Sequence, residues 1–145
     1  MKIKRGNLFV MRSNLVNCTF EGRRTALKIL NNIEIIDEIL VKLDKEFISS
    51  NPHFNNDIAI SKIGMINNLI VSSKPKDEQV KQSTIADIAK KYPEEFKLFT
   101  DHKDAINSFN EKEIEIKFNI LKKREIPKNV SVKDLMNYSF VIFND

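Results

Sequence analysis

Between Thr25 and Ser50 the apolar residues fall at Ile29, Ile33, Ile36, Leu40, Leu43 and Phe47. The steps alternate between four and three, which aligns these side chains along one side of an α-helix. Leu30, Ile35, Ile39 and Ile48 widen the stripe, while Glu34, Asp37, Glu38, Lys42, Asp44 and Lys45 take the opposite side. Thr25 is placed to cap this helix, Asn31-Asn32 interrupts its pattern and divides it, and Ser49-Ser50-Asn51-Pro52 closes it. A helix so apolar on one face needs a partner surface, and a sheet is the expected one.

Two patterns predict that sheet. Residues 7–11 and 15–20 are rich in β-branched and aromatic side chains and read as strands joined by a three-residue loop, Arg12-Ser13-Asn14. Ile114, Ile116, Phe118 and Ile120 alternate with Glu113, Glu115, Lys117 and Asn119, the period of a strand with one buried face. Tyr138–Phe143 reads as a last strand, after a turn at 127–129 and a short helix, Val132–Asn137, capped by Ser131. The middle of the chain reads as helical: a helix or mixed segment over 57–73, a loop at 72–77, Thr84–Tyr92 capped by Ser83, Glu94–Phe99 opened by Pro93, and a short helix over 101–109. The expected architecture is one α+β domain over residues 1–145, an antiparallel sheet from N- and C-terminal strands with helices packed on one face.

Composition sets the class. Hydrophobic residues at 41% and charged residues at 30%, across 145 residues, are ordinary for a globular domain with a real core. No apolar run reaches the roughly 18 residues of a membrane span, and the basic start Met1-Lys2-Ile3-Lys4-Arg5 lacks the apolar core of a signal peptide. A lone cysteine excludes an internal disulfide, so a cytoplasmic protein is expected, with Cys18 as a small core residue.

The net charge of +4 is unevenly spread. Residues 1–30 carry seven basic side chains against one acid, residues 31–50 five acids against two lysines, and residues 112–133 seven basic against three acids. Lysines outnumber arginines by 19 to 5, whereas recognition of phosphates and bases leans on arginine forks. Nucleic-acid binding is therefore expected to be weak and to fade with salt. Its candidate residues are Arg5, Arg12, Arg23, Arg24, Lys122, Lys123 and Arg124.

The remaining chemistry is sparse. With glycine only at positions 6, 22 and 64 there is no phosphate-binding loop, and no Cys/His spacing fits a metal. No cofactor, metal ligand or catalytic set is expected. Residues 84–92 resemble the first helix of helix-turn-helix domains, but the next helix would begin with Glu94-Glu95, which opposes phosphate contact. His53 follows Pro52 in a loop. His102, between Asp101 and Asp104, is the candidate general base of a small hydrolase or nuclease. By elimination, the favoured function is a protein-binding module of the immunity- or antitoxin-type, inhibiting a toxin-like enzyme, in a bacterial or phage setting. Its contact is the acidic helix face, Glu34, Asp37, Glu38 and Asp44. Glu34 and Asp37 find no basic residue at the helical pairing distances, so the helix leaves their charge uncompensated. Nucleic-acid binding and His102-based hydrolysis are the alternatives.

Overall fold

A computed structural model of the chain describes residues 1–17, 22–73, 78–126 and 132–137. Helix accounts for 81% of these residues, and the sheet is one antiparallel pair of short strands. The expected α+β sandwich is thereby overturned. The helices are α1 (Leu8–Val16), α2 (Arg23–Ser50), α3 (Asp57–Ser72), α4 (Glu78–Lys91), α5 (Pro93–Glu111) and α6 (Val132–Asn137); the strands are β1 (Lys2–Lys4) and β2 (Glu113–Glu115).

Contacts divide the chain into two compact units, Met1–Asp44 with Asn110–Asp145, and Lys45–Phe109. The first unit is built on the apolar stripe of α2. Ile29 and Ile36 join Ile3, Leu8, Met11, Leu15, Ile116 and Leu121 in one buried cluster, with Ile33, Leu40, Leu43, Ile114 and Phe118 packed around it. Ile36, Leu8, Leu15 and Leu121 are fully buried, and each such side chain contributes roughly 1.5–3 kcal/mol.

Residues 8–16 form a helix where a strand and a hairpin loop were expected. Leu8, Met11 and Leu15, spaced three and four apart, reach the core together, while Phe9, Val10 and Val16 face outward. The β-branched and aromatic character that predicts a strand belongs partly to this exposed side; burial of the helical triad decides the outcome. Tight contact precedes the helix: a Cβ on Gly6 would lie 3.2 Å from Asn110 Cβ. Cys18 and the rest of the second predicted strand, 18–20, lie outside the described residues, as do the turn at 127–129, Ser131, residues 74–77 of the predicted loop and the strand 138–143.

The alternating segment pairs over only three residues, Lys2 with Glu115, Ile3 with Ile114 and Lys4 with Glu113. Opposite charges face each other on the outer side and isoleucines on the inner. Beyond Glu115, Ile116 exchanges two hydrogen bonds with Met1, its N–H donating to the Met1 carbonyl at 2.9 Å and the Met1 ammonium donating to the Ile116 carbonyl at 2.8 Å. Ile116 and Phe118 still point inward, but Ile120 is 42% exposed and Leu121 takes the buried place instead.

Asn32 explains how that segment is held. Its side chain is fully buried on α2. Asn32 Nδ2 donates to the Asn119 carbonyl at 2.9 Å, and the Asn119 N–H donates to Asn32 Oδ1 at 2.7 Å. One amide thus offers the extended chain the donor and acceptor that a neighbouring strand would supply. The predicted interruption at Asn31-Asn32 is therefore not a break: α2 runs through it without dividing. Helix α2 begins at Arg23, just after Gly22, whose φ of +96° is left-handed and suits glycine; Thr25 is a buried residue inside its first turn and not the cap.

In the second unit, residues 57–72 are helical, capped by Asn56, whose side chain accepts from the Ala59 N–H at 2.9 Å. Helix α4 begins at Glu78, so Ser83 is internal. Residues 93–111 form one helix in place of the two expected, with Pro93 in its first turn and Glu94 and Glu95 at its positive end. Only Tyr92 separates α4 from α5. That is too short for the three- or four-residue turn of a helix-turn-helix.

Candidate protein-binding face and an apolar groove

Helix α2 positions Glu34 and Glu38 on the side opposite its core stripe, with Asp37 and Asp44 on its flank. Glu34, Glu38 and Asp44 are exposed and form no ion pair among the described residues. Apolar residues stand beside them: Leu27 and Leu30 are each 49% exposed and Val41 is 54% exposed. Leu27, Glu34 and Val41 recur every seven residues, two helical turns, so acids and apolar side chains share one surface.

Asp37 differs. Arg12 on α1 grips it with both arms of its guanidinium, Nε to Oδ1 and Nη2 to Oδ2 at 3.0 Å. This hydrogen bonding holds the Asp37 carboxyl below the usual carboxylate range and raises Arg12. The pair ties α1 to α2 and takes both residues out of the free charge of the surface. The sequence gives no local sign of it, because the partners are 25 residues apart and Arg12 was expected in a loop.

Of the basic candidates, Arg12 is held by Asp37 and Arg24 lies in a loose, exposed contact with Glu125. Glu125, missed in the sequence, gathers Lys28 at 2.7 Å, Arg24 at 3.8 Å and the Lys122 backbone N–H at 2.7 Å. The Lys28 hydrogen bond, followed by that from Lys122, lowers the Glu125 carboxyl. Lys28 also donates to the Ile120 carbonyl at 2.9 Å, fastening the chain after β2 to α2. Arg23, Lys122 and Arg124 are exposed, Arg5 is half-buried in the 3-10 turn Arg5–Asn7, and the side chain of Lys123 lies outside the described residues.

His102 lies within the second unit among rings. Phe54 meets it edge-on at 5.1 Å and Phe47 at 6.0 Å, and His53 lies against Phe54 at 3.9 Å with the rings tilted by 47°. Burial among these rings lowers the His102 imidazole, favouring its neutral form. Asp101 turns to Lys97, 2.6 Å away and one helical turn back, and Asp104 is exposed. The expected carboxylate orienter of a general base is thus not assembled around His102. Beside it a groove of about 800 Å³ opens between α3, α4 and α5.

These shifts set the expected response to acid. A lowered carboxyl contributes stability that is present above its unfolded-state value near 4 and is lost as pH falls through that range. A lowered imidazole contributes stability present above about 6.5 and lost as pH falls below it. Melting temperature is expected to drop in two stages, first below about pH 6.5 and again below about pH 4. His102→Phe should flatten the upper stage and Glu125→Gln should make the lower one shallower. Thermal melts across pH check this; a single acid transition unaffected by either substitution would contradict it.

Among the described residues no group of three or more His, Cys, Asp or Glu is placed to hold a metal, and no helix is long and apolar enough to cross a membrane. No family model, curated protein or solved structure matches the chain.

Proposed function

We propose that the protein is a protein-binding module of the immunity- or antitoxin-type, which occupies a basic surface of a target enzyme through the solvent face of α2. The supporting observation is the union on that face of exposed Leu27, Leu30 and Val41 with the carboxylates Glu34 and Glu38, which form no ion pair among the described residues. Exposed apolar side chains rimmed by charge mark contact sites, with the apolar centre contributing affinity and the acids steering a basic partner into place. Asp44 extends the acidic rim; Asp37, held by Arg12, shapes the helix pairing behind it. Engagement of Arg12 by Asp37 favours this reading over nucleic-acid binding, and the aromatic setting of His102 favours it over hydrolysis.

Affinity capture with wild-type protein and with the double reversal Glu34→Lys, Glu38→Lys tests the proposal. The wild type is expected to retain a basic protein that the reversed variant loses, and the association rate of that pair should fall at least about tenfold at low salt. An unchanged rate and salt dependence, with melting temperature preserved, would remove this face from the binding surface.

A further inference from the structure

The groove beside His102 is independent of the α2 face. Its walls are aliphatic and aromatic, supplied by Ile63 and Ile70 of α3, Ile85 of α4, and Phe96, Phe99 and Ile106 of α5. Its volume of about 800 Å³ lies within the range of roughly 300–1,000 Å³ typical of small-molecule sites, which are mostly apolar with a few polar groups fixing orientation. The ionisable side chains lining it are Lys81, Lys103 and His102, with no carboxylate among the lining residues. Lys81 and Lys103 line the groove and are exposed, and Lys81 makes a loose, exposed ion pair with Glu78 at 3.6 Å. An apolar interior with cations at its margin complements an aliphatic chain ending in an anion.

We propose that this groove binds a free medium- or long-chain alkyl carboxylate, the chain lying between α3, α4 and α5 and the carboxylate meeting the ammonium of Lys81 or Lys103. A neutral alcohol of equal length would gain the apolar contact without the ion pair, and an alkylammonium would meet like charge. Gly64 offers a way to block the site without crowding the fold. It lines the groove, and a Cβ there meets nothing within 4 Å. A larger residue also removes the helix penalty of glycine.

The test is calorimetric titration of the full chain with dodecanoate below its micelle concentration, alongside isoleucine-methyl NMR. Saturable one-site binding is expected, with shifts at Ile63, Ile70, Ile85 and Ile106. Affinity should fall at least about tenfold in Lys81→Glu with Lys103→Glu, which retains a cooperative melt, and also in Gly64→Leu, whose melting temperature should be preserved or raised. Dodecyltrimethylammonium should bind at least about tenfold more weakly than dodecanoate. Absence of saturable binding overturns the proposal, as does equal binding of the ammonium. Capture of the protein by phosphatidylglycerol vesicles without binding of monomeric dodecanoate also overturns it, assigning the basic margin to a membrane surface.

Discussion

Asn32→Asp is expected to destabilise the protein by about 3–5 kcal/mol at neutral pH, because it places a charge in a fully buried site and turns an oxygen toward the Asn119 carbonyl. For a chain of this size that corresponds to a fall of about 10–20 °C in melting temperature. Asn32→Ala should cost less, about 1–3 kcal/mol, since it leaves the Asn119 N–H and C=O without a protein partner but introduces no charge. The two variants also differ in their response to acid. A protonated carboxyl at this position restores one donor and one acceptor, so the deficit of Asn32→Asp should shrink as pH falls, whereas that of Asn32→Ala should not. Urea melts of both variants across pH measure the difference. If Asn32→Asp melts within a degree or two of the wild type, the amide clamp contributes nothing to stability.

Ile116→Asp should have an effect at least as large. Ile116 is 3% exposed and shares its cluster with Ile36, Leu8 and Leu121. The substitution removes a buried apolar side chain and leaves a carboxylate facing that cluster; a loss above about 4 kcal/mol is expected. Ile120→Asp is the matched control. Its position in the alternating pattern predicts burial, but its side chain is 42% exposed. It should therefore cost about 1 kcal/mol or less. Similar losses for the two variants would contradict the observed switch of burial from Ile120 to Leu121.

These residues show what was legible in the sequence. The apolar stripe of α2 is real because a four-three repeat over many turns has only one helical solution. The period-two burial of Ile114, Ile116 and Phe118 was also readable, yet it did not imply a long ladder. The neighbouring strand β1 has only three residues, Met1 extends its pairing to Ile116, and Asn32 takes over at Asn119. That substitution of a side chain for a strand spans 87 residues of sequence, so nothing local announces it. Helix α1 misled for a different reason. Apolar residues occupy both its buried and exposed sides, so no polar face declares the helical period, and the β-forming character of Phe9 and Val10 dominated.

The candidate site was legible only in part. Glu34 and Asp37 look equally uncompensated along their own helix, since both lack basic residues one turn away. Tertiary packing separates them: Arg12 reaches Asp37, and Glu34 stays free of ion pairs among the described residues. Leu27, Leu30 and Val41 were obscured because the sequence counts Leu30 with the core stripe, whereas the fold leaves it half exposed. The groove beside His102 draws on α3, α4 and α5, and its shape follows from how those helices pack and not from any one spacing.

Methyl NMR of the protein with its captured partner tests the central role of the α2 solvent face most directly. Leucine and valine methyls are labelled, and the partner is titrated in. Shifts or broadening confined to Leu27, Leu30 and Val41, with the buried methyls of Leu8 and Leu15 unmoved, are the predicted result. Perturbation elsewhere on the protein with Leu27, Leu30 and Val41 unchanged would contradict the account.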